Sequence, residues 1–275
     1  MRNSARLDLH VVTLCVFALG LAAVAFTVGR YVLPAERPPD PAAQHEEPPA
    51  PLEPPGVPEP TELQALERQY GPERNSEHAE EWIIRDFFKG QRNGIFVDVG
   101  ANRYKRFNNT YYLDIDLGWS GLAIEPQTKF AREYARFRPR TRFVPLFVSD
   151  QSNRDAVVYV PPIDLAASES RKFAESYGGS STAIHVRTTS LDDVLERSGI
   201  THVDFLSMDI ELAEPKALAG LSIQRYKPAL ACVEAHPEVR QAVLDYFSRN
   251  GYVVVGKYLR ADDHNLWFTP LGRQP

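Results

Sequence analysis

The chain has 275 residues, with 31 Lys and Arg against 36 Asp and Glu, and a formal net charge of −5. That balance lacks the basic footprint of a nucleic-acid binder. Only two cysteines occur, Cys15 in an apolar run and Cys232 in an expected core strand. Neither a disulfide framework nor a cysteine zinc site is therefore expected.

Residues 1–8 are a short tail, and residues 9–29 then run without a single Lys, Arg, Asp or Glu. As a helix this segment measures roughly 30 Å, the thickness of a hydrocarbon core, and it lacks the polar stripe of a surface helix. It predicts a single-pass membrane anchor. A cleaved signal peptide is the alternative, because Ala23-Val24-Ala25 suits a cleavage site, although apolar character continues to Tyr31 and Leu33. Arginines flank both ends, at Arg2 and Arg6 and at Arg30 and Arg37. The side of the membrane therefore stays open, with a slight preference for the N-terminus inside.

Residues 30–61 form a Pro-rich linker, and eleven of the 22 prolines fall between Pro34 and Thr61. Such a composition cannot build a core, and local polyproline II makes it a semi-extended stalk. Residues 62–275 read as one α/β domain. A short helix is predicted over 62–70, broken by Gly71-Pro72, and a stronger one over 76–89. The polar pair Ser76-Glu77 suits its N-cap, and Trp82, Ile83, Ile84, Phe87 and Phe88 recur at helical spacing.

Short apolar runs then alternate with helical stretches. Strands are predicted over 95–99, 121–124, 142–148, 203–208, 229–233 and 252–255. Helices are predicted over 109–117, 129–138, 191–197, 215–221 and 237–250. This alternation predicts a mostly parallel sheet with helices on both faces. Residues 265–269 read as an antiparallel edge strand, and Gly178-Gly179-Ser180-Ser181 as a mobile loop where a substrate-covering lobe is inserted.

Ligands of open α/β sheets bind at the carboxyl ends of the strands, and the candidate chemistry lies there. The first strand leads into Asp98-Val99-Gly100-Ala101-Asn102, where glycine lets backbone approach a ligand. The bland alternative is a tight turn with a capping Asp. The second strand runs into Glu125, 25 residues after Gly100, placed to accept ribose hydroxyls. The absence of a full G-x-G-x-x-G points away from a dinucleotide. The fourth strand ends at Asp209, with Glu211 two residues on; a carboxylate there orients a cation or takes up a proton. Alternatively, Glu211 and Glu214 cap the helix at Pro215. Glu234 and His236 follow the fifth strand, with His236 a general-base candidate. No His-rich or acidic cluster demands a metal, and none is expected.

In this order, these segments resemble the FkbM-type methyltransferase family. The resemblance rests on 96–102 (FVDVGAN), Asn109-Thr110, 117–121 (LGWSG), Ile124-Glu125-Pro126, Val148-Ser149-Asp150, 189–193 (TSLDD) and 204–209 (DFLSMD). It implies a Rossmann-like class I fold with a seven-stranded sheet, and S-adenosylmethionine as cofactor. It further implies that Asp98, Gly100 and Asn102 lie along the cofactor, that Glu125 holds its ribose, that Asp150 lies by the adenine and Asp209 near the methionine moiety. Asp209, Glu211 and His236 are the catalytic candidates, for methylation of a hydroxyl on a sugar, glycan or related metabolite.

Two positions depart from the family pattern. Tyr104 replaces a second glycine in the first motif, and Leu212 replaces a glycine after Glu211. Both add bulk where backbone is expected to pass the cofactor. The basic run Arg103–Arg106 reads either as a site for an anionic substrate or as a solvated turn. Against the enzyme stands a module of the same fold that binds a glycan or protein partner at the membrane without catalysis. An outward-facing domain would lack a cofactor made in the cytosol.

Overall fold

A computed structural model describes residues 61–273. The expected tail, anchor and linker lie, except for Thr61, outside the described residues. Among the described residues no helix is long and apolar enough to cross a membrane.

The domain opens with α1 (Glu62–Tyr70), started by a capping box in which Thr61 and Gln64 satisfy each other's backbone N–H. In α2 (Glu80–Phe88) the five predicted apolar residues are all buried. It starts four residues later than expected, because Ser76 does not cap it in place. Ser76 Oγ instead accepts from the Glu81 N–H at 3.0 Å, from five residues upstream.

The remaining elements are β1 (Ile95–Val99), α3 (Tyr111–Ile115), β2 (Ser120–Ile124), α4 (Ala131–Phe137), β3 (Thr141–Val144), β4 (Phe147–Val148), β5 (Asp155–Val160), α5 (Arg171–Ser176), β6 (Thr182–Thr189), α6 (Leu191–Arg197), β7 (Phe205–Met208), α7 (Glu214–Ala219), α8 (Ile223–Tyr226), β8 (Leu230–Glu234), α9 (Arg240–Arg249), β9 (Tyr252–Val254) and β10 (Asn265–Pro270). Seven strands form one sheet in the order β3-β2-β1-β7-β8-β10-β9. β3, β2, β1, β7 and β8 are parallel, and β10 runs antiparallel to both its neighbours. This is the methyltransferase-like, mostly parallel seven-stranded architecture expected from the sequence.

The structure corrects the sequence reading at three places. The predicted strand over 142–148 is two strands in different sheets. Pro145 lacks an N–H and disfavours continuation, and a tight turn from Leu146 N to Val144 O (2.9 Å) redirects the chain. The predicted edge strand β10 is internal, and β9 forms the edge. Elements that the sequence reading did not expect flank the Gly178–Ser181 loop: β5 and β6 pair antiparallel over six residues, β4 joins β6, and α5 lies between β5 and β6.

Apolar residues on the two faces of the main sheet pack into separate cores. Val97, Leu122, Ile124, Leu206 and Met208 meet α6, α7 and α9 on one face. Phe96, Trp119, Phe205 and Trp267 meet α2 on the other. Register brings the strand ends level, with Val99 opposite both Ile124 and Met208, and Met208 opposite Val233. Gly100, Glu125, Asp209 and Glu234 therefore share one edge.

Helix α2 is tied to the C-terminal region through Asp86. Its nearly buried carboxylate accepts from Lys89 at 2.6 Å, Lys257 at 2.5 Å and Tyr258 at 2.9 Å. Burial pushes its pKa up, but the hydrogen bonds from Lys257, Lys89 and Tyr258 together outweigh it and hold the carboxyl at about 2, down from 3.8. A depressed pKa stabilises the fold above the unfolded value, and that stability is lost as pH falls through the folded one. Asp86→Asn is expected to cost about 2 kcal/mol near neutral pH. Urea unfolding should show that difference shrinking as pH falls from about 4 towards 2.

Candidate active site

The β1 and β7 exits touch through backbone. Gly100 has φ +83°, and a Cβ there would lie 1.7 Å from the Asp209 carbonyl oxygen. The Asp209 N–H meanwhile donates to Val99 O at 2.9 Å. Glycine is thus required by the neighbouring strand exit itself, a reason different from the ligand approach expected of it.

Beyond Gly100, Asn102 adopts φ +44°, a left-handed conformation that asparagine tolerates. Its N–H donates to Glu125 Oε2 at 3.2 Å, and the Gln127 N–H donates to Oε1 at 2.8 Å. Burial pushes the Glu125 carboxyl up to about 7, against the hydrogen bonds from Gln127 and Asn102. Asp98 does not line the cavity. It accepts from Thr110 Oγ1 at 2.8 Å and Asn108 Nδ2 at 3.2 Å. Wholly buried Arg138 binds Asn108, Thr110 and Asp114 in the same network. Burial raises the Asp98 pKa against these partners. Its place is the bland one, fixing the loop after β1.

A cavity of about 340 Å³ opens at this edge. Gly100, Asn102, Asp209, Glu211 and His236 line it, so the structure brings five of the sequence-selected residues together. Glu234, noted in the sequence beside His236, lines it too, with Phe107, Ile163, Leu165, Tyr177 and the stacked rings of His78 and His264. His236 Nε2 lies 3.1 Å from Glu211 Oε2 and 3.2 Å from Glu234 Oε1.

Asp209 lines the cavity and is exposed to it, with the surrounding protein restricting its access to bulk water. Burial, then the neighbouring Glu234 and Glu211, push its pKa well up. Burial and Glu234 raise Glu211 to about 8 against the pull of His236. The hydrogen bond to Glu234 leads the causes that raise His236 to about 9 despite burial. No cluster in the sequence demanded a metal, yet the fold brings the donor atoms of Glu211, Glu234 and His236 within 4.8 Å of one another. The sequence hides this set because its members follow two strands that pair only in the fold.

The region between β5 and α5 roofs the cavity. Asp164 O accepts from Asn102 Nδ2 at 3.0 Å and Gln127 Nε2 at 3.1 Å. The Asp164 carboxylate pairs with Arg103 and Lys129, each at 2.6 Å. Ser168 Oγ donates to Glu211 O at 2.6 Å. No motif in the sequence marked Asp164 as the residue on which these loops converge.

Asp150 stands apart. It is exposed, accepts from Ser149 Oγ at 3.0 Å and lines a separate cleft with Arg154 and Lys216. Tyr104 does not intrude on the cavity; it stacks on Phe137 at 4.8 Å and faces another cleft, beside Arg74, Lys105 and Arg106. Within the basic run, Arg103 is held by Asp164, Lys105 lies over Tyr111, and Arg106 lies over Phe107. Leu212 also stays off the cavity wall, but its φ is +80°. The glycine expected there answers a backbone need.

Residues 98–254 match the methyltransferase FkbM domain, and the chain belongs to that family. Solved structures similar to it include methyltransferase FkbM from Methylobacillus flagellatus KT, 18% identical, with 64% of this chain and 43% of that chain covered and a TM-score of 0.41. The chain thus spans less than half of that protein. A TehB-like SAM-dependent methyltransferase from Corynebacterium glutamicum is 14% identical, with 75% and 93% covered and a TM-score of 0.41. A SAM-dependent O-methyltransferase from Thermotoga maritima is 11% identical, with 78% and 73% covered and a TM-score of 0.38. No curated protein matches the chain.

A left-handed conformation costs a non-glycine residue roughly 1–2 kcal/mol, partly offset by the entropy glycine loses on folding. Leu212→Gly is therefore expected to stabilise the fold by about 0.5–1 kcal/mol. A higher denaturant midpoint at unchanged slope would report it.

Proposed function

We propose that this chain is an S-adenosylmethionine-dependent methyltransferase acting on a hydroxyl of a sugar, glycan or related metabolite. One observation carries the reading: a single cavity runs from Gly100 and Asn102, on the side where this family would place its cofactor, to Asp209, Glu211 and His236.

The residues fit the cofactor. Glu125, buried and off the cavity wall in this structure, accepts one backbone N–H at each oxygen, leaving lone pairs for ribose hydroxyls. Asn102 Oδ1 is buried without a hydrogen-bond partner, an acceptor awaiting a donor. The cavity volume falls in the range of small-molecule sites, roughly 300–1,000 Å³. When bound, S-adenosylmethionine supplies an electrophilic methyl group on a sulfonium. The protein's part is to hold the acceptor oxygen in line, exclude water and receive the hydroxyl proton. Asp209, Glu211 and His236 are the groups proposed for that proton and for orienting the acceptor. Asp150 is proposed at most a peripheral role at the adenine end. Residues 9–29 would hold the enzyme at a membrane as a single-pass anchor, with the side unassigned.

A second reading has one observation in its favour. Asn102, Gln127, Arg103 and Lys129 all bind Asp164, so the loops that would cradle the cofactor already hold the protein's own chain. A silent module binding a glycan or protein partner would have this form.

Calorimetric titration of the chain with S-adenosylmethionine separates the two. The enzyme reading expects micromolar binding, weakened about 10–100-fold by Glu125→Ala, the loss of charge-assisted hydrogen bonds. Asp209→Asn is expected to retain cofactor binding within a few-fold while losing most turnover in an acceptor screen. A folded wild-type chain that does not bind the cofactor would sink the enzyme reading and leave the silent module.

A further inference from the structure

We propose that Glu211, Glu234 and His236 form a site for one divalent metal ion, opening on the cavity beside Asp209. The donors come from two adjacent strand exits. Glu211 follows β7, Glu234 ends β8, and His236 stands two residues beyond it. One imidazole nitrogen faces an oxygen of each glutamate, at 3.1 and 3.2 Å. A single N–H can point well at only one of them. Donor atoms held about 2.1 Å from a first-row ion, at angles of about 95–100°, stand about 3.1–3.2 Å apart. The two N···O separations suit neighbouring ligands of one ion as well as they suit hydrogen bonds, and all three donor atoms lie within 4.8 Å of one another.

Charge is the second observation. Asp209, Glu211, Glu214 and Glu234 gather here, and among the described residues neither lysine nor arginine pairs with any of them; His236 is the sole cationic partner of Glu211 and Glu234. Glu214 is wholly buried with Oε2 unpartnered, while its Oε1 accepts from the Ile210 N–H at 3.0 Å. Glu234 Oε2 is likewise buried and unpartnered. Acids gathered in this number, with Glu211 and Glu214 buried, either take up protons or share a cation from outside the chain.

One imidazole nitrogen with two carboxylates suits Mn²⁺, Fe²⁺ or Zn²⁺ and not a soft monovalent ion. Three protein ligands leave positions open towards the cavity. On the proposed methyl-transfer reading, and only on it, an acceptor hydroxyl would fill one of them. The metal would then bind and orient a substrate carrying neighbouring oxygens.

The test needs neither cofactor nor acceptor. The full chain, stripped with a chelator, is titrated calorimetrically with MnCl₂ and with ZnCl₂. One ion per chain at micromolar affinity or tighter is expected, and electron spin echo spectra of the Mn²⁺ form should show one coordinated nitrogen. Glu234→Gln and His236→Ala should each weaken binding at least tenfold, with Glu169→Gln, a surface acid paired with Lys216, unchanged. Absence of saturable binding by the folded wild-type chain overturns the site, as does binding without the nitrogen signal or binding that both variants retain. Because the cofactor titration is separate, failure here leaves the methyltransferase reading standing, and the reverse holds equally.

Discussion

Everything at the edge that carries the candidate site depends on one contact, the passage of the Asp209 carbonyl across the face of Gly100. Two parallel strands leave the sheet level with each other, and only the absence of a Cβ lets their exits lie side by side. That closeness fixes the end of β1 against the end of β7. It sets Asn102 at the mouth of Glu125 on one side and turns the chain after Asp209 towards β8 on the other. The strain continues downstream, where Glu211 and Leu212 both hold positive φ before α7 begins. A polar cavity results, with its groups supplied mainly by exits and not by strand interiors.

The second sheet gives that cavity its roof. β5 and β6 form a hairpin-like unit whose connecting segment reaches back over the strand edge. There Asp164 gathers two cations and two amide side chains, and Ser168 takes the Glu211 carbonyl. The roof is therefore bonded both to the loops beneath the cofactor side and to the backbone of the carboxylate cluster. A movement of this segment would be felt at both ends of the cavity together.

Much of this was legible in the sequence, and the parts that were not have physical causes. The central strands announced themselves because both their faces are buried, which writes near-continuous apolar runs. Gly100, Asn102, Asp209, Glu211 and His236 were selected by position at strand ends, and they meet. Asp98 obeyed the same rule yet turns to Asn108 and Thr110, a choice of face that one sequence does not fix. Glu125 was found, but its backbone partners were not, because they depend on how two loops pack. The β5–β6 unit escaped notice since β6 buries only Thr188 and Thr189 fully, so its alternation is faint. Tyr104 and Leu212 looked like obstructions while the family glycines were credited to the cofactor; the backbone accounts for Leu212, and Tyr104 simply packs elsewhere.

The position of β10 has a consequence for how the protein is made. This strand is the last in sequence among the described residues, yet it lies between β8 and β9 inside the sheet, and Trp267 stacks with Phe205 beneath it. Asn265 also reaches back to Glu80 in α2. During synthesis the sheet cannot close, nor can α2 find its partner Asn265, until residues 265–270 have left the ribosome. Until then the flanks of β8 and β9 stay unpaired, a state prone to wrong association. The sheet is thus committed only when β10 arrives, whatever the order in which its helices emerge.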